Sequence, residues 1–143
     1  VIATLSRIAV LQGAAMQELH LMHDHHRHHA LLRLRRRRQT LHGPWRITGS
    51  SSTLTEITIS PASERDADTG LLAFLALELD GLVQVDGIAL RMTEQGLLAL
   101  SFPSRTSRRG TKHSLVRPRD QAARAAIERT ILTALGIRQE SQR

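Results

Sequence analysis

Between residues 54 and 102 short apolar runs alternate with Asp, Gly and Pro punctuation, the signature of strands joined by tight turns. Leu54-Thr-Glu-Ile-Thr-Ile-Ser60 reads as a first strand, with Leu54 offset, Thr55, Ile57 and Ile59 on one face, and Pro61 as its end. An acidic, Gly-terminated loop covers residues 62–70. Leu71–Leu79 is apolar in both registers, which fits a central strand covered on both faces. Asp80-Gly81 predicts a hairpin turn. Leu82–Met92 reads as a strand bent or bulged at Gly87, Glu94-Gln95-Gly96 as a second turn, and Leu97–Phe102 as a fourth strand stopped by Pro103. Strands this close together cannot be parallel neighbours, because a parallel crossover needs a dozen residues or more. The expectation is a four-stranded antiparallel meander.

The period then changes. Arg119–Leu135 places Ala123, Ile127, Ile131 and Leu135 at i, i+4 spacing, with Ala126, Leu132 and Ala134 widening the stripe, and predicts a helix. Asp120 suits its N-terminus and Gly136 its end. Gln121, Arg124, Glu128 and Arg129 fall on the polar face. An apolar sheet face needs a lid, so the fold class is α+β, a meander with a C-terminal α-helix packed on it. Ser104–Lys112 reads as a basic Ser/Gly-rich loop, and His113–Arg117 as a short extended stretch before Pro118.

Upstream, residues 2–19 have the spacing of a weak amphipathic helix, and Arg7 breaks the apolar stretch a secretory signal would need. Residues 20–38 collapse into six His in ten positions followed by an Arg run, a composition that predicts disorder. The expected organisation is a His/Arg-rich low-complexity tail over 1–52 with Gly49–Thr53 as its hinge, a folded domain over 53–136, and a C-terminal tail over 137–143.

The chain has 143 residues, one Trp, two Phe, no Tyr and no Cys, so Leu, Ile, Val and Ala must fill the core. The lack of Cys excludes disulfides, thiolate metal sites and a cysteine nucleophile, and with no run of spanning length the expectation is a cytoplasmic protein with no membrane partner. Formal net charge is +7, and 19 of the 20 basic residues are Arg, a skew that codon usage can produce. Its distribution is more informative: net +6 over residues 1–50, −6 over 51–102 and +7 over 103–143. A domain polarised in this way presents a basic face, which suits a polyanion.

His20, His23, His25, His26, His28 and His29 invite a metal, but nothing supplies a defined further ligand and orienting groups, so no metal or cofactor is assigned. Asp66-Ala-Asp68-Thr-Gly70 lacks the remaining ligands of a calcium loop. No nucleophile elbow, phosphate-cradling Gly loop or His-Glu-x-x-His motif occurs, and His113, Ser114 and Asp120 sit too close in sequence to converge as a triad. The expectation is a protein that is not an enzyme and has no small-molecule substrate.

The order of these segments, with Gly96-Leu-Leu-Ala-Leu-Ser-Phe-Pro-Ser-Arg105 as its most specific piece, resembles the stage V sporulation protein G (SpoVG, septation protein) family over about residues 54–135. The resemblance implies a small antiparallel sheet with a C-terminal helix. It further implies a homodimer formed by strand exchange or pairing, and a DNA- and RNA-binding regulator tied to septation, sporulation and gene control in bacteria. Ser104 and Arg105 match the family's Ser-Lys/Arg after the fourth strand, and Val116-Arg117-Pro118 stands where Ala-His-Pro is more usual.

Cations beside a helix can neutralise phosphates and release counterions. Arg105, Arg108, Arg109, Lys112 and Arg117 are the expected nucleic-acid contacts, with Arg124 and Arg129 flanking them from the helix. The scarcity of aromatics argues against a base-stacking single-strand groove. The rival reading is a protein–protein adaptor that pairs through an exposed edge strand with no nucleic-acid role, and a third is a metal-linked regulator using the His cluster.

Overall fold

A computed structural model describes residues 37–137 together with Leu31 and Leu34. The expectations for residues 1–30, including the His cluster, for most of the Arg33–Arg38 run and for 138–143 lie outside the described residues. The chain forms strands β1 (Gln39–Arg46) and β2 (Thr53–Pro61), a single helical turn α1 (Glu64–Ala67), and strands β3 (Leu71–Leu79), β4 (Val83–Met92) and β5 (Leu98–Ser101). A short pair β6 (Ser104–Thr106) and β7 (Lys112–Ser114) follows, then helix α2 (Gln121–Ala134). The main sheet is an antiparallel meander in the order β1-β2-β3-β4-β5, and β6-β7 form a separate ribbon.

The α+β class and the helix over the sheet match the sequence reading; the strand count does not. The fifth strand, β1, comes from residues assigned to the tail. Gly43-Pro44 hides it, because Pro cannot donate to a ladder and is tolerated only at an edge. In the sheet β1 is an edge, and its register shifts between His42 and Trp45 to accommodate those two residues. Its alternation is nonetheless regular, with Leu41 and Trp45 packed against the core while Thr40, His42 and Arg46 are exposed. Leu34 is buried in the same core. The expected hinge is a hydrogen-bonded β1–β2 turn, in which the Ile47 amide donates to Ser52 O (3.0 Å) and the Ser50 amide to Ile47 O (3.1 Å).

Leu54, Ile57, Ile59, Leu75, Leu77, Ile88, Leu90 and Leu100 form the sheet's contribution to the core, met from α2 by Ile131 and Leu132. A register shift between Leu54 and Glu56 corrects the expected facing of β2. Leu54 joins Ile57 and Ile59 in the core, while the Thr55 hydroxyl donates to Glu78 Oε1 (2.7 Å). β3 is central, as expected, but among the described residues no second layer covers its other face, where Phe74 is 45% exposed. A bulge between Leu71 and Ala73 carries Leu72 into the core beside Ala73, which shortens the second apolar register.

The turns obey local chemistry. Asp80 (φ 52°) and Gly81 (φ 68°) both adopt the left-handed conformation a type I′ hairpin demands, and Asp80 Oδ1 accepts from the Thr53 amide at 2.8 Å. β4 shifts register where Gly87 (φ 77°) sits. The acidic loop holds α1, capped by the Ser63 hydroxyl, which accepts from the Asp66 amide at 3.3 Å. Gly70 (φ 86°) has no room for a side chain: a Cβ there would lie 2.5 Å from the Met92 carbonyl oxygen.

Candidate nucleic-acid interface

The segment expected to be a basic loop is a β-hairpin arm. Ser104 pairs with Ser114, Arg105 with His113 and Thr106 with Lys112, and all six residues are exposed. The arm closes through a tight turn in which the Gly110 amide donates to Ser107 O (2.9 Å) and the Ser107 amide to Thr111 O (2.8 Å). The Ser107 hydroxyl accepts from the Thr111 amide (3.2 Å), and Gly110 has φ 81°. This is a type I turn followed by a left-handed glycine, a common three-residue hairpin loop. Its two central positions are Arg108 and Arg109, which therefore project from the tip.

A sequence signal for this hairpin exists. Ser107-Arg-Arg-Gly110-Thr repeats the frame of Thr93-Glu-Gln-Gly96-Leu, the β4–β5 turn. There the Thr93 amide donates to Leu97 O (2.7 Å), the Gly96 amide to Thr93 O (2.9 Å) and the Leu97 amide to Thr93 Oγ1 (3.1 Å). The same backbone device thus presents Glu94 and Gln95 at one turn and two arginines at the other.

At its root the arm is pinned on one group, the Pro103 carbonyl, which accepts from the amides of Leu115 (3.0 Å) and Val116 (3.4 Å). Arg105, Arg108, Arg109, Lys112 and Arg117 are all exposed, and among the described residues no hydrogen bond or ion pair engages any of their side chains. No acidic residue occurs between Glu94 and Asp120. The first four cations ride on the arm, and Arg117 lies just beyond its root.

Arg124 and Arg129 are placed differently. Arg129 is exposed on α2, away from the arm in sequence. The Arg124 guanidinium is turned against β5: its Nη2 donates to the Leu100 carbonyl, its Nε lies 3.2 Å from Glu128 Oε1, and its Cζ sits 5.6 Å from the centroid of the Phe102 ring. Glu128 Oε1 in turn accepts from the Leu100 amide at 3.3 Å. The helix pair Arg124–Glu128 thus satisfies both main-chain groups of Leu100 on the sheet's edge strand, and neither residue joins the arm cations. This bond pattern is invisible in sequence, where Arg124 reads as a flanking nucleic-acid contact and Glu128 as a polar-face residue.

Asp120 caps α2, its Oδ1 accepting from the Ala123 amide at 2.8 Å and its Oδ2 from Arg119 Nε at 3.1 Å. The Ala123 bond, followed by the Arg119 bond, holds its carboxyl below the usual aspartate range. No group of three or more His, Asp or Glu residues able to hold a metal occurs among the described residues, and no helix among them is long and apolar enough to cross a membrane. No family model and no curated protein matches the chain.

Proposed function

We propose that this domain is a SpoVG-like nucleic-acid-binding regulator that grips phosphates with the β6–β7 arm. The carrying observation is the arm itself: four unpaired cations on an exposed two-stranded ribbon with no carboxylate among them. A two-stranded ribbon fits the major groove of B-form DNA, about 12 Å wide. Arg105 on the shaft and Arg108 and Arg109 at the tip are the groups able to reach base edges, while Lys112 and Arg117 serve the backbone. No Phe, Tyr or Trp lies on the arm, which favours a duplex over stacked single strands. The resemblance adds a cytoplasmic homodimer acting in septation, sporulation or gene expression.

The edges of the sheet count against the adaptor reading. β1 is interrupted by Gly43-Pro44, and β5 is four residues long with Leu100 occupied by Arg124 and Glu128. Both are devices that blunt strand addition. They also turn the proposed dimer away from simple edge-to-edge pairing.

Fluorescence anisotropy of the full chain against duplex DNA and duplex RNA across a salt series tests the reading. Five phosphate contacts give a log–log salt slope of about −4.5, so affinity falls roughly 500-fold between 50 and 200 mM salt. With Arg105, Arg108 and Arg109 all changed to Gln, the slope drops to about −1.8 and the loss over the same range to roughly 12-fold. A variant that keeps the parent slope places binding elsewhere on the chain and refutes the arm. Salt-insensitive capture of a protein, with neither duplex bound, establishes the adaptor instead.

A further inference from the structure

A cleft of about 620 Å³ opens between α2 and the covered face of the sheet, apart from the arm. Its cause is legible in α2. The C-terminal half of the helix presses Ile131 and Leu132 into the core, whereas the first half offers Ala122, Ala123 and Ala126 beside a single larger residue, Ile127, and the alanines are too short to fill the space above Leu79 and Val85. The volume lies within the range of about 300–1,000 Å³ typical of small-ligand sites.

The mouth is polar and cationic. Arg117 and Arg119 flank Pro118 in its lining, and Thr48, Ser50 and Ser52 add hydroxyls from the β1–β2 turn. The one carboxylate in the lining, Asp120, is already held by the Ala123 amide and Arg119. Arg117 has no partner among the described residues, so it is the cation free to receive a ligand. An apolar interior behind an unpartnered cation is complementary to an anionic amphipath.

We infer that this cleft is a binding site for a medium-chain amphipathic carboxylate, its apolar body between Ala123, Ile127 and Val85 and its head group on Arg117. The site shares Arg117 with the nucleic-acid reading but otherwise stands apart from it, since its walls are the sheet and α2 rather than the arm. Buried apolar length sets affinity, and the Arg117 guanidinium sets the preference for an acid over an alcohol.

Dodecanoate titrated into the full chain, read by calorimetry and by the fluorescence of Trp45, tests it. Trp45 is the sole tryptophan and pairs across the ladder with Leu54, which lines the cleft. The expected result is saturable binding of one dodecanoate, with dodecanol bound about tenfold more weakly. Arg117→Ala weakens dodecanoate by about tenfold and leaves dodecanol unchanged. Ala123→Leu, which fills the cleft from the helix side, abolishes both while the far-ultraviolet circular dichroism is retained. Loss of that dichroism moves the test to Ala126→Leu, read in the same way. Absence of saturable binding overturns the inference, as does binding indifferent to both substitutions. A dimer in sedimentation velocity that dissociates in Ala123→Leu, with no dodecanoate bound, also overturns it and assigns the cleft to a second copy.

Discussion

Replacing Arg124 by Ala separates a structural arginine from a phosphate-binding one. The guanidinium makes a charge-assisted hydrogen bond to the part-buried Leu100 carbonyl, an i,i+4 ion pair with Glu128 and a contact over Phe102. A hydrogen bond to a charged group contributes about 1.5–3 kcal/mol, an exposed helix pair about 0.3–0.5, and a cation–π contact at an open site about 0.5–1. The Arg124 side chain is 36% exposed, so water replaces part of what is lost and the low end of each range applies. The expected destabilisation is about 2 kcal/mol. In urea, with a slope near 1.3 kcal/mol/M for a domain of this size, the midpoint falls by roughly 1.5 M at unchanged slope. Arg124→Lys, which keeps charge but not the planar fork, falls between. The salt dependence of duplex binding stays as in the parent, because the residue meets no phosphate. A variant with parental urea stability and a salt slope lowered by about 0.9 refutes this reasoning, since the guanidinium would then leave Leu100 to bind the backbone.

Two further substitutions probe the frame that holds the arm. Gly70→Ala forces a side chain into the left-handed region and against the Met92 carbonyl, and should cost at least about 2 kcal/mol in urea denaturation. Asp120→Ala lowers the thermal midpoint at neutral pH, and the deficit has a predictable pH dependence. The folded carboxyl titrates below its unfolded value, so its stabilisation is complete above about pH 4 and disappears as pH falls through the lower folded value. Parent and variant midpoints should therefore converge in strong acid, and a gap that widens there contradicts the capping role.

Much of the fold was legible because each signal was local. The Asp80-Gly81 turn, the bulge at Gly87, the stop at Pro103 and the stripe of α2 require only a few neighbouring residues to be read. β1 was missed for a physical reason. Gly43-Pro44 in isolation forbids a strand, and only pairing with β2 along one edge makes room for both. The facing of Leu54 was misread because strict alternation assumes no bulge, and the one at Thr55 exists only in the company of β3. For the interface, residue types and charge identified the cations but not their mounting. Ser107-Arg-Arg-Gly110 has the same turn frame as Thr93-Glu-Gln-Gly96, but the strands it joins are three residues each and polar on both faces, so they carry no apolar alternation. Arg124 and Glu128 could not be distinguished from solvated helix charges, since the group that claims them is a main-chain edge more than twenty residues earlier.

The arm's geometry has a consequence that charge alone lacks. Arg105, Arg108, Arg109 and Lys112 would attract a polyanion equally from a disordered loop, so the hairpin matters only if its order is set before binding. Gly110→Ala tests this without altering net charge. Its φ of 81° lies in the left-handed region, and a Cβ there meets nothing within 4 Å, so the substitution strains the turn without a clash. The penalty of an Ala in that conformation is about 1–2 kcal/mol, and it falls on the ordered arm and not on the open one. All six paired residues of the ribbon are exposed, so little beyond the turn holds it closed and the strain opens it in the free protein. If duplex binding requires the closed ribbon, affinity drops by up to about fivefold at every salt concentration while the log–log slope stays parental. Affinity unchanged by Gly110→Ala, beside a slope that still collapses when the three arginines are removed, reduces the hairpin to a charged tether and leaves its register without a role in recognition.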